Sequence, residues 1–110
     1  MEKRRSERKQ VHIRVKLNVG DNSYDAFINN VSYEGIGMNI ILAPEEKVDG
    51  ILPNTILGLR FQTNPADGIT LKCDIKWVNI SSDKSVGIIY MIGSEILDPP
   101  AEYKHFIKNL

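Results

Sequence analysis

The chain has 110 residues, 42% hydrophobic and 25% charged, with a formal net charge of zero. That length suits one domain around one core, and no apolar run approaches the roughly 20 residues that a membrane-spanning helix requires. The one cysteine, Cys73, cannot make an internal disulfide or a zinc site alone, so a reducing cytoplasmic setting is the default expectation.

The charge is unevenly spread. Residues 1 to 16 carry Lys3, Arg4, Arg5, Arg8, Lys9, Arg14 and Lys16 against Glu2 and Glu7, a net +5 that leaves −5 on the remainder. The opening "MEKRRSERKQ" has no apolar stretch behind it and does not read as a secretory signal. It holds no hydrophobic residue after Met1, which predicts a flexible basic arm over residues 1–10. A basic arm on an acidic body suits an anionic partner, and equally a solvated tail.

From Val11 the text alternates, with Val11, Ile13, Val15, Leu17 and Val19 against His12, Arg14, Lys16 and Asn18, which predicts a strand with one buried face. "GDN" marks a turn, "SYDAFIN" a weaker second strand and "IGMNIIL" (36–42) a third, with "NNVSYEGIG" (29–37) between apolar segments. "APEEKVDGILPN" reads as a loop. "TILGLRFQT" (55–63) is a fourth strand with Leu57, Leu59 and Phe61 on one face. After the turn "NPADG", "ITLKCDIKWVNI" is a fifth, with Ile69, Leu71, Cys73, Ile75 and Trp77 inward, and "SVGIIYMI" a sixth. Cys73 thus reads as a small core residue.

In "DPPAEYKHFIKNL", Asp98 is the expected N-cap and Pro99 the first residue of a helix over 99–110. Tyr103, Phe106, Ile107 and Leu110 form its apolar stripe. Six short strands and one closing helix predict a mainly β fold, a small antiparallel barrel over 11–110.

No catalytic constellation is evident. His12 and His105 have no metal-ligand spacing around them, and "GIG" (35–37) lacks the third glycine and following helix of a dinucleotide fingerprint. No cofactor is expected. Two polar clusters remain. "RRSERK" places Arg4, Arg5 and Arg8 together, and guanidinium forks pair with phosphate oxygens or the O6/N7 edge of guanine and stack on flat rings. "NVSYEG" places Asn30, Ser32 and Gly35 at N-x-S-x-x-G. An amide and a hydroxyl could read a purine edge or hold a phosphate, and a glycine permits close backbone approach. Alone, each cluster also fits an ordinary basic tail and an ordinary strand connection.

Together they resemble the PilZ domain family. "RRSER" (4–8) is similar to its RxxxR motif, "NVSYEG" (30–35) to its [D/N]xSxxG motif, and the order of motifs and strands is similar over nearly the whole chain. The resemblance implies a six-stranded antiparallel β-barrel and a bacterial receptor for cyclic di-GMP that acts on a separate protein effector. Arg4 and Arg8, with Arg5 beside them, would contact phosphates and guanines. Asn30 and Ser32 would hydrogen-bond the nucleotide, and Gly35 would shape the turn.

Two other readings stay open. One is a barrel of the same family that docks a protein and binds no nucleotide. The other is a nucleic-acid binder, which the acidic body disfavours and for which only Trp77, Phe27 or the tyrosines offer stacking. The expectation is therefore no nucleic-acid partner and no membrane insertion.

Overall fold

The structure is a computed structural model that describes residues 8–42, 48, 50–62, 68–85 and 87–110. Six strands, β1 (Lys9–Val19), β2 (Asn22–Val31), β3 (Gly35–Leu42), β4 (Ile56–Gln62), β5 (Gly68–Asp83) and β6 (Gly87–Leu97), precede one helix, α1 (Ala101–Lys108). Every neighbouring pair is antiparallel, and the strands close into a barrel in the order β1-β2-β3-β6-β5-β4.

The alternation in the sequence becomes the wall of the barrel. Val15, Leu17 and Val19 of β1 point inward, as do Leu57, Leu59 and Phe61 of β4. They meet Ala26, Ile28, Met38, Ile40, Leu71, Ile75 and Ile92 in one core. Each fully buried aliphatic side chain of this kind stabilises the fold by about 1.5–3 kcal/mol. On the outside, Lys16 stands opposite Asp25 across β1 and β2 at 2.8 Å, and this bond holds the exposed Asp25 carboxyl below its usual range. Cys73 is fully buried, and desolvation pushes its thiol up to about 11.

The strand ladders do not all run the full length. β4 pairs with β5 only from Gly68 to Asp74, whereas β6 follows β5 from Lys72 to Asp83. The ring is closed between β1 and β4 through Lys16–Asn18 against Gly58–Arg60.

Three expectations need correction. β1 begins at Lys9, so Lys9 and Gln10 are strand and not arm. The helix begins at Ala101: Asp98 has φ 48, which a β-region N-cap cannot have, and Pro100 takes the N-cap position instead. Trp77 is not in the core. A register shift between Ile75 and Trp77 inserts one residue against β6, so Lys76 and Trp77 both face out and Trp77 is 50% exposed.

An eight-residue helix is marginal in isolation, and α1 is held by docking. Tyr103 and Ile107 enter the core, and Phe106 meets Phe61 edge to face with centroids 5.7 Å apart. Leu110, placed on the same stripe by its spacing, is 46% exposed.

Candidate functional site

The segment 29–37 leaves β2 and enters β3 beside the start of β1. Ile28 and Val31 are both fully buried, so the two residues between them cannot alternate normally. The β2–β3 register shifts there, and Asn29 and Asn30 are both left half-buried on the wall.

Their amides form a directed chain. Arg8 donates from an Nη to Asn30 Oδ1 at 2.5 Å, Asn30 Nδ2 donates to Asn29 Oδ1 at 2.7 Å, and Asn29 Nδ2 donates to Asn39 Oδ1 at 3.1 Å. Because a guanidinium only donates, it fixes which way each amide points. The last residue of "RRSER" is thereby joined to the first residue of "NVSYEG", 22 positions away. Arg4 and Arg5 lie outside the described residues.

Ser32 does something different from Asn30. It is 5% exposed, and its Oγ accepts from the backbone N–H of Gly35 at 3.1 Å and of Glu34 at 3.3 Å. Its own N–H donates to the Gly35 carbonyl at 2.9 Å. The hydroxyl thus closes the turn by accepting from two of its backbone donors. The turn is tied down from below as well: the Tyr103 hydroxyl, fully buried, donates to the Ser32 carbonyl at 2.6 Å. Burial pushes the Tyr103 phenol well above its ordinary range, so it stays protonated and keeps donating.

Gly35 is required by close approach. A Cβ there would sit 2.9 Å from the backbone oxygen of Ser94 on β6. Two further glycines matter. A Cβ on Gly37 would fall 2.4 Å from Asn30 Nδ2, so the Asn30 amide lies across Gly37; a Cβ on Gly93 would fall on the indole of Trp77, which lies across Gly93. Gly37 and Gly93 are register partners in β3 and β6. One row across four strands therefore reads Asn30, Gly37, Gly93, Trp77. Next to it, Lys76 bonds Asp74 at 3.0 Å and Glu95 at 3.4 Å, and its ammonium is held above its ordinary value chiefly by the Asp74 hydrogen bond.

Of the expected site residues, the structure brings Arg8, Asn30, Ser32 and Gly35 together. It adds Gly37, Gly93 and Trp77, which spacing alone did not single out. The sequence does carry a signal for Trp77: apolar positions are odd through Ile75 and then even at Val78 and Ile80, which marks a slipped phase.

The family model described as the PilZ domain matches residues 2–110. No curated relative matches by sequence. Among solved structures, the fold is similar to the PilZ domain with c-di-GMP of YcgR from Escherichia coli, at TM-score 0.74 and 9% identity, over 97% of this chain and 87% of that one. It is also similar to the Bacillus subtilis inhibitor of motility MotI/DgrA, at TM-score 0.68 and 14% identity, over 99% of this chain and 49% of that one. The MrkH–c-di-GMP complex of K. pneumonia gives TM-score 0.68 and 14% identity, over 99% and 51%. The chain spans about half the length of MotI/DgrA and MrkH.

Proposed function

The chain belongs to the PilZ domain family, and from that premise we propose that it is a receptor for cyclic di-GMP that passes the binding event to a separate protein through an altered surface. The observation that carries this reading is the Arg8–Asn30 hydrogen bond, which joins the two motif clusters on one face of the barrel. A cyclic dinucleotide offers two phosphodiester anions and two guanines. Arg8 uses one of five N–H donors on Asn30, and the remaining fork suits a phosphate or a guanine O6/N7 edge. Arg4 and Arg5 supply further cations for the phosphates. Asn30, held by Arg8 and Asn29, presents an oriented amide to the nucleotide, while Ser32 and Gly35 hold the turn in shape.

Structural neighbours solved with c-di-GMP support the ligand class. The readout, in this proposal, runs through the turn. Ser32 is bonded to Tyr103, and Glu34 accepts from the Ile96 N–H at 2.8 Å, so a ligand that bears on the turn also bears on α1 and β6.

The test is calorimetric titration of cyclic di-GMP into the parent and into Arg8→Ala, with GMP as the control. Saturable heat from the dinucleotide is expected. The variant should lose roughly 10- to 100-fold in affinity, the worth of a bidentate guanine contact. A parent that gives no heat would leave this barrel a protein-docking module.

A further inference from the structure

We propose that the outer wall of β1, β4 and the first half of β5 is a docking surface for an acidic, partly apolar segment of the effector protein, an inference that names the effector's chemistry and rests on the receptor reading above. This wall is not the motif row, which crosses β2, β3, β6 and the part of β5 beyond its bulge. Three outward rows build it. The first carries Asp25, Lys16 and Arg60 on β2, β1 and β4. The second carries Gly58, Lys72 and Leu97 on β4, β5 and β6, and the third Ile56, Asp74 and Glu95 on the same three strands.

The carboxylates on this wall are taken. Lys16 holds Asp25 at 2.8 Å, and Lys76 holds Asp74 at 3.0 Å and Glu95 at 3.4 Å. Arg60 and Lys72 are left over, exposed and without an ion pair among the described residues, although the chain beyond residue 16 carries a formal −5. One strand spacing and two residues of rise put their Cα atoms about 8 Å apart, a gap that two carboxylates of one segment can bridge. Beside Lys72, Gly58 leaves a notch, since a Cβ there would meet nothing closer than 3.9 Å. Ile56 and Leu97, 49% and 38% exposed, flank the pair. An arginine anchor with apolar neighbours suits a protein partner. A membrane surface or a nucleic acid fits worse, because Asp25, Asp74 and Glu95 fix negative charge on both sides of the two cations, where further phosphates would lie. The wall is also joined to the motif turn. Leu97 follows Ile96, whose N–H donates to the Glu34 carbonyl at 2.8 Å, so turn and wall share the end of β6.

The experiment titrates the peptide acetyl-Glu-Leu-Glu-Gly-Glu-Leu-Glu-amide, with its Gln-for-Glu counterpart as control, into isotope-labelled protein with and without cyclic di-GMP, and follows backbone amide shifts by NMR. Saturable shifts from the acidic peptide alone should centre on Gly58, Arg60 and Lys72 and weaken as salt rises. The double variant Arg60→Gln/Lys72→Gln should bind the peptide roughly 2- to 30-fold more weakly, the worth of two exposed ion pairs. It should keep the parent's unfolding midpoint and its calorimetric affinity for the dinucleotide. Shifts confined to the basic arm, an equal response to the neutral peptide, or a folded double variant that binds the peptide like the parent overturns the docking surface. Vesicles of phosphatidylcholine and phosphatidylserine, or a poly-dT strand, that bind through these two cations where the peptide does not would overturn it as well. Peptide shifts on the wall with no dinucleotide heat in the parent overturn the receptor reading alone and leave the acidic-segment surface standing.

Discussion

Gly35 and Gly37 stand two residues apart on the same strand, yet alanine should do opposite things at the two positions. At Gly35 the new methyl meets the Ser94 carbonyl oxygen at 2.9 Å. That oxygen belongs to the β3–β6 ladder, where Gly35 pairs with Glu95 and Ile36 with Ser94, so it cannot move without distorting the pairing. Overpacking against a rigid neighbour costs about 1–3 kcal/mol. At Gly37 the obstacle is the end of the Asn30 side chain, which can rotate away. Removing a strand glycine also favours folding by about 0.4–1 kcal/mol through the unfolded chain. Against this stands the loss of the Arg8–Asn30 and Asn30–Asn29 hydrogen bonds, about 0.5–1.5 kcal/mol each where water does not replace them. The Arg8–Asn30 bond is exposed and the Asn30–Asn29 bond only part-buried, so water replaces most of that loss, and Gly37→Ala should lie within about 1 kcal/mol of the parent. Urea unfolding reads both values, and calorimetry reads binding. The expected outcome is a destabilised Gly35→Ala and a stable Gly37→Ala that binds cyclic di-GMP poorly. If Gly37→Ala unfolds as easily as Gly35→Ala, or binds like the parent, the reasoning from obstacle type to consequence fails.

Tyr103→Phe removes the donor to the Ser32 carbonyl and leaves a buried acceptor without it, which should cost about 1–3 kcal/mol in urea unfolding with an unchanged m-value. A loss under about 0.5 kcal/mol would mean that water or another donor takes over. For Cys73, a thiol raised from 9.0 to about 11 should alkylate with iodoacetamide near pH 8 at least roughly 100-fold more slowly in the native than in the denatured chain. A native rate within tenfold of the denatured one would contradict its burial. The sign for stability follows: the unfolded chain releases this proton first, so the thiol's contribution is intact below pH 9 and falls between 9 and about 11.

The strands themselves were legible because one face of each is buried, and a buried face writes a period of two into the text. Leu57, Leu59 and Phe61 read as inward and are inward. What did not follow from the period was where it slips. Trp77 continues the odd register of Ile69 to Ile75; the even positions of Val78 and Ile80 mark a slip nearby, and the pairing with β6 places the extra residue at Lys76. The helix start was misplaced for a related reason: Asp98 is a good capping residue by type, but the backbone reaches it at φ 48 and two prolines delay the first turn. In the site, Arg8, Asn30, Ser32 and Gly35 stand in two short stretches and could be named from them. Gly37 and Gly93 could not, since a glycine that makes room is defined by whatever crosses it from another strand. Asn30 and Trp77 lie 7 and 16 residues from the glycines they cross, and the two glycines meet across 56 residues, a pairing that no local window contains.

The join between β1 and β4, over Lys16–Asn18 and Gly58–Arg60, is the shortest seam of the ring, while β5 and β6 share more than ten rungs. A cylinder built this way has a preferred line of rupture. Native-state amide exchange there should report opening at lower free energy than in β5 and β6. It is also the last place where the chain can become a cylinder, because it unites segments separated by all of β2 and β3. When it parts, β1 becomes the free edge of an otherwise intact sheet. The β1–β2 ladder, which carries the Arg8–Asn30 bond at its other end, stays paired through that opening, so the barrel can breathe without parting its two motifs.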